Sequence, residues 1–213
     1  MPQSFTVGTA TAKPGGYAYG AIRVLDLPTG GHEEIPVVIA QGTTDGPTVW
    51  VTANIHGGEL TGLASLHQIL QPELPGPLSG TLIAIPSLNP AGLRVMQRAP
   101  YYEPGDPNRT WPLPGFDPDQ APSSVYESIS RKLFDIIVGT KPACLLDLHN
   151  ASIGSIPFTI RDRILYGNRT TESQAREMER QLDRLSEAFG ISIVNENPGK
   201  VYGERKLHRS VSG

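Results

Sequence analysis

The chain has 213 residues, 38% hydrophobic and 18% charged, which is enough for one domain with a proper core and the composition of an ordinary globular protein. Its formal net charge is −3 with no block of like charge, which argues against a nucleic-acid surface or a patch for an anionic membrane. The single cysteine, Cys144, excludes an intramolecular disulfide and a thiolate metal cluster, and within "ACLLDL" it reads as a small buried hydrophobe.

In chain order, the N-terminus has neither the basic segment nor the apolar run of a secretion signal. No apolar run nears the roughly 20 residues needed to span a membrane. The expected location is therefore the cytoplasm, and "NRT" at 108–110 and 168–170 is a chance match to the glycosylation pattern. "YAYGAIRVLDL" and "EIPVVIAQG", punctuated by "PTGG" and "TTDG", predict a strand hairpin, with His32 in its turn. "PTVWVTANI" is a continuous β-branched run, the pattern of a strand buried on both faces.

After Gly58 the period changes. Leu60, Leu63, His67 and Leu70 predict a helix, ended by "QPELPGP", with His67 partly buried on its apolar face. "GTLIAIPSLNP" predicts a second buried strand. Residues 99–122 are a long loop rich in Pro, Gly and Asp, and such a length in a compact domain marks function or disorder. "SSVYESISRKLFDIIVG" predicts a helix with Val125, Ile129, Leu133 and Ile136 on one face. Ser124 and Glu127 form its capping box and Gly139 its stop. "PACLLDLHN" is a third buried strand. "TESQAREMERQLDRLSEAFG" is a helix striped by Ala175, Met178, Leu182, Leu185 and Phe189 and ended by Gly190; "ISIVNE" is a further strand, and His208 lies in a basic, exposed tail.

This alternation argues for a mostly parallel sheet with helices on both faces. Ligands bind such sheets beyond the carboxyl ends of the strands, where His56, Asn89 and His149 all fall. His56 and Glu59 straddle a strand-to-helix corner whose Gly57 and Gly58 permit a sharp turn. With His149 they would make the two-histidine, one-carboxylate set of a catalytic zinc site. Asp147, two residues earlier on the same strand side, would hold the other nitrogen of that imidazole. The alternative is a helix N-terminus with a favourable acidic residue and an unrelated polar strand end. Spacing alone leaves both open.

Four motifs in order, "HGGE" at 56–59, "NP" at 89–90, "NR" at 108–109 and "DLHN" at 147–150, resemble the zinc carboxypeptidase superfamily. More closely they resemble the succinylglutamate desuccinylase/aspartoacylase family, over roughly residues 45–155. The resemblance implies a three-layer αβα fold with a mixed, mainly parallel sheet. It implies one zinc ion held by His56, Glu59 and His149, and a substrate carboxylate held by Asn108 and Arg109. An arginine upstream polarises the scissile carbonyl; Arg94 and Arg98 both precede the pair, and Arg98 is the nearer choice. A guanidinium fork beside an amide suits a carboxylate, although a solvated turn after Asp106-Pro107 would explain Asn108 and Arg109 without the family context. The activity implied is deacylation of a small N-acyl amino acid: zinc acidifies a water towards a pKa of about 7, and arginine stabilises the oxyanion.

The family's general base, a glutamate on a late strand, would fall at or beyond residue 213. The expectation is a single catalytic domain over 1–213 that lacks its C-terminal part and this base; Glu196 and Glu204 are the only late candidates and read as loop residues. Two rivals remain: a metallocarboxypeptidase acting on peptides, with the same metal site and a different pocket, and an inert metal-binding domain. The sequence specifies neither the acyl group, the amine, the metal in use nor the oligomeric state.

Overall fold

The computed structural model describes residues 3–113, 116–151, 154–161, 171–195 and 205–212. Two strands, β1 (Phe5–Val7) and β2 (Ala10–Ala12), pair antiparallel; three residues each are too few to show a period in sequence. The expected hairpin follows as β3 (Tyr17–Asp26) and β4 (His32–Gln41). His32 is the first residue of β4 rather than part of the turn, exposed and 3.1 Å from Glu34. The three buried strands are β5 (Thr44–Ala53), β6 (Ser79–Ile85) and β7 (Cys144–Leu148).

Together β3 to β7 form one sheet in the order β3-β4-β6-β5-β7. The β3–β4 and β4–β6 pairs are antiparallel; β6, β5 and β7 run parallel. The sheet is therefore mixed, and its parallel half sets the ends of β5 and β7 side by side, Ala53 opposite Leu148. Period-two alternation divides its side chains. Val37, Ile39, Trp50, Ile83 and Ile85 join a core with α3 (Val125–Gly139), while Val38, Ala53 and Ala84 pack with α1 (Thr61–Ile69) on the other face. Helices on both faces make the three layers of an α/β fold. Among the described residues, no helix is long and apolar enough to cross a membrane.

The buried face of α1 differs from the expected one. Gly62, Leu66 and Leu70 are buried, whereas Leu60 and His67 are exposed. The reason lies in Gly62, which carries no apolar side chain to read in a pattern yet touches the sheet most closely. A Cβ there would stand 2.7 Å from Leu148 Cβ and 3.1 Å from Leu148 O. On α3, Ile129 and Leu133 are buried as expected, together with Tyr126, Phe134 and Ile137, whereas Val125 is exposed and Ile136 only half-buried. Ser124 caps α3 by accepting from the Glu127 peptide N–H at 3.0 Å. The capping box does not close on Ser124, because Glu127 accepts instead from the Ser123 N–H and hydroxyl, Arg131 (2.7 Å) and Arg205 (2.6 Å).

A short helix, α2 (Pro90–Val95), follows β6; Asn89 caps it and Pro90 opens it. β8 (Phe158–Arg161) precedes α4 (Glu172–Phe189), whose Thr171–Gln174 capping box and left-handed Gly190 bound it. The expected last strand, β9 (Ser192–Asn195), pairs parallel with β8 in a separate two-stranded sheet rather than joining the main one. Alternation within "ISIV" identifies a strand but not its partner. Helix α5 (Leu207–Ser212) is no exposed tail: Leu207 is buried in the main core and His208 is half-buried. Cys144 is also half-buried, which raises its thiol pKa.

Gly62→Ala sets helix propensity against packing. Alanine gains about 1 kcal/mol in a helix interior, but overpacking against Leu148 costs about 1–3 kcal/mol. The expected outcome is net destabilisation with α1 displaced from the sheet; urea unfolding of the two proteins measures it.

Candidate functional site

Beyond Ala53 the chain leaves β5 through Asn54, whose φ is +58°. It then turns through Ile55 and His56 against the start of α2. Gly57 is set by that approach: a Cβ there would lie 2.1 Å from Gly92 C and 2.3 Å from Leu93 N. Asn89 pins the crossing. Its side-chain oxygen accepts from Gly92 N (2.8 Å), and its amide donates to Ile55 O (3.1 Å) and Arg98 O (3.2 Å). His149 follows the last residue of β7, and the parallel pairing of β5 with β7 brings it to the same corner.

The two imidazoles are 5.2 Å apart, centre to centre. His56 Nδ1 lies 2.7 Å from Glu59 Oε1, and His149 Nδ1 lies 3.0 Å from Glu59 Oε2. Both rings thus turn the same nitrogen inward onto one carboxylate. Each outward nitrogen meets another carboxylate: His56 Nε2 is 2.9 Å from Asp106 Oδ1, and His149 Nε2 is 2.7 Å from Asp147 Oδ2. Thr52 Oγ1 donates to Asp147 Oδ1 (2.8 Å), and the Asn150 N–H donates to Glu59 Oε2 (3.1 Å).

These neighbours set the charges. Burial pushes the Glu59 carboxyl pKa up, but the hydrogen bonds and charges of His149 and His56 prevail and hold it at about 2. Burial disfavours the His149 imidazolium, yet Asp147 and Glu59 outweigh it and raise that pKa to about 10. His56 is raised from its ordinary value in the same way, its burial outweighed by Asp106 and Glu59. Asp106 is held well below the usual carboxylate range: burial opposes this, but His56, Arg98 and the Asn108 N–H overcome it.

One ligand atom from each of His56, Glu59 and His149 lies within 4.8 Å of the others, so this group could hold a metal ion. The donor set fits a divalent cation: two imidazoles and a carboxylate facing inward, each imidazole held from behind by an acceptor.

Around this group stand the arginines. Arg98 Nη2 donates to Asp106 Oδ2 at 2.7 Å, and its Nη1 is 3.7 Å from Glu59 Oε1. Arg94 is engaged elsewhere, 3.2 Å from Glu33 Oε2. Pro107–Arg109 form a single 3-10 turn capped by Asp106, which accepts from the Asn108 N–H at 2.9 Å. Arg109 Nη1 donates to Asn108 O (2.8 Å) and lies 3.7 Å from Asp106 Oδ2. Asn108 is buried, and its side-chain oxygen accepts from the Leu207 N–H at 3.0 Å. Arg205 completes the fastening by donating to Thr110 O (2.9 Å) and Trp111 O (2.8 Å).

The structure thus gathers His56, Glu59, His149, Asp147 and Arg98 at one corner, with Asn108 and Arg109 beside them across Asp106. Sequence reasoning passed over Asp106. Its signal is a polar cap before proline, the pattern of Asn89-Pro90. Nothing in sequence announces Arg205 and Leu207 as partners of residues some 95 positions away. Glu196, Glu204 and the second "NRT" at 168–170 lie outside the described residues.

Residues 45–194 match the family model described as the succinylglutamate desuccinylase/aspartoacylase catalytic domain. No functionally curated protein matches the chain. Solved structures do. A succinylglutamate desuccinylase/aspartoacylase from Rhodobacter sphaeroides is 23% identical with a TM-score of 0.69, the match covering 92% of this chain and 54% of that one. The product-bound ectoine utilization protein EutE from Ruegeria pomeroyi is 20% identical, TM-score 0.70, covering 92% and 56%. A metallo-carboxypeptidase from Burkholderia cenocepacia is 14% identical, TM-score 0.59, covering 96% and 51%. At these identities the likenesses speak for the fold, a zinc carboxypeptidase-like one. The chain spans little more than half the length of these structures.

The raised His149 pKa has a consequence for the metal-free protein. An imidazolium whose pKa rises from 6.5 to about 10 on folding contributes stability that is fully present below pH 6.5. That contribution declines as pH rises and is gone above about 10. Urea unfolding in chelator at several pH values across this window should show the decline, and His149→Gln should flatten it.

Proposed function

The chain belongs to the succinylglutamate desuccinylase/aspartoacylase family, and from that membership we propose that it is the catalytic domain of a zinc-dependent amidohydrolase that deacylates an N-acyl amino acid or similar small amide. The observation that carries the reading is the orientation of the two imidazoles. Both Nδ1 atoms converge on Glu59, and both Nε2 atoms are held by carboxylates, so an ion that displaces the two inward protons meets nitrogens already aimed at one point.

His56, Glu59 and His149 hold one zinc ion per chain. Bound zinc supplies a Lewis acid for the amide carbonyl and acidifies a water. Asp106 and Asp147 fix the rings and keep their metal-facing nitrogens basic. Arg109, whose side chain is partly exposed and only 3.7 Å from Asp106, receives the substrate carboxylate, and the buried Asn108 sets the turn that presents it. Arg98, 3.7 Å from Glu59, lies where a guanidinium can stabilise charge developing on the carbonyl oxygen. A peptide-cutting reading rests on the likeness to the metallo-carboxypeptidase and shares every one of these residues, so substrate range decides between them.

The test is an assay of N-succinyl and N-acetyl amino acids beside dipeptides, with zinc content measured on the same sample. Zinc uptake that a chelator reverses is the expected result, and any deacylation should vanish with the metal and return with it; zinc without turnover would assign this chain to the form that lacks its general base. Arg109→Ala should raise KM by about 10- to 100-fold, the loss of a charged hydrogen bond worth about 1.5–3 kcal/mol, with kcat less affected. Cleavage of peptides alone would transfer the assignment to a carboxypeptidase; a protein that takes up no metal would remove the hydrolase reading.

A further inference from the structure

Asn54 belongs to none of the groups that face the proposed ion, yet it is wholly buried and left-handed, with φ at +58°. Asparagine is among the few residues other than glycine that accept that conformation. Its carboxamide makes four hydrogen-bond contacts in one place. Nδ2 donates to the backbone carbonyls of His56 (3.1 Å), Gly57 (3.1 Å) and Glu59 (2.9 Å), while Oδ1 accepts from Ser87 Oγ at 2.7 Å. Two N–H bonds shared among three carbonyls bracket the corner from inside. The three carbonyls, which can only accept, settle which end of the amide faces the corner, and Ser87, itself buried just past β6, holds the other end.

The corner's other support of this kind is Asn89, whose amide reaches Ile55 O at 3.1 Å but neither His56 nor Glu59. The corner is neither strand nor helix, and one backbone bond, Glu59 N to His56 O at 2.9 Å, crosses it. Both His56 and Glu59 depend on it for their relative direction. We infer that Asn54, locked by Ser87, is a positioning residue that pre-sets the His56–Glu59 half of the metal site; the inference rests on reading those two residues and His149 as metal ligands. A residue serving only the turn's conformation would be replaced without loss by glycine, which adopts positive φ freely. A residue serving the bracket would not.

That contrast is the experiment. Asn54→Gly keeps the left-handed backbone and deletes the amide; Ser87→Ala keeps the amide and removes its lock. Zinc dissociation constants are measured by chelator competition, the cobalt(II)-loaded proteins by their d–d absorption, and the metal-free proteins by urea unfolding. Asn54→Gly should bind zinc about 10- to 100-fold more weakly, as expected for loss of an outer support of a ligand. Its cobalt spectrum should be altered, and Ser87→Ala should shift both readouts in the same direction by less. Wild-type affinity and spectrum in Asn54→Gly overturn the inference; if that variant does not fold, the same result in Ser87→Ala overturns it. A wild-type protein that takes up no zinc overturns the metal reading instead, before any variant is compared.

Discussion

Glu59 has one carboxylate and two imidazoles to satisfy, and the surrounding architecture follows from that arrangement. An ionised carboxylate with so little access to water costs several kcal/mol unless partners surround it. His56 takes one oxygen, while His149 and the Asn150 N–H take the other, so the partners come from beyond the ends of two strands, β5 and β7. Two strand ends must therefore arrive together. The parallel pairing of β5 with β7 achieves this, since parallel neighbours finish on the same side of a sheet. The close seat of Gly57 on α2 and of Gly62 on β7 follows from the same demand, because a side chain at either position would push the corner off the sheet.

Asp106 extends the arrangement outward. One of its oxygens meets His56 and the Asn108 N–H, while the other meets Arg98 and lies near Arg109. A single carboxylate thus ties the imidazole of the inner group to both arginines that a carboxylate-bearing substrate would meet. Charge moved at one place is felt at the other through one shared group. On the proposed reading, this shared carboxylate would couple a bound ion to the recognition of an anion without any moving part between them.

Much of this was legible in the residues, and the rest was hidden for definite reasons. Strands β3 to β7 announce themselves through apolar runs bounded by turn signals, α3 through its cap at Ser124 and α4 through Gly190. His56, Glu59 and His149 can be read because each stands where an apolar run breaks. The face of α1 was misread because its closest contact is Gly62, a residue with no apolar side chain to count. The partner of β9 was misread because a four-residue strand carries no record of its neighbour. Asp106 escaped because its role depends on a loop folding back over fifty positions to His56, and an aspartate before proline looks like any other turn. Asn54 escaped because asparagine at a strand end is unremarkable until its carbonyl partners are known.

The anchoring of the turn that bears Asn108 and Arg109 has one more implication, for the order in which the protein is made. Leu207 and Arg205 hold Asn108, Thr110 and Trp111 in place. Translation delivers His56, Glu59 and His149 before it reaches either of them, but a domain folds as a unit, so that turn is fastened only after residues 205–207 have emerged.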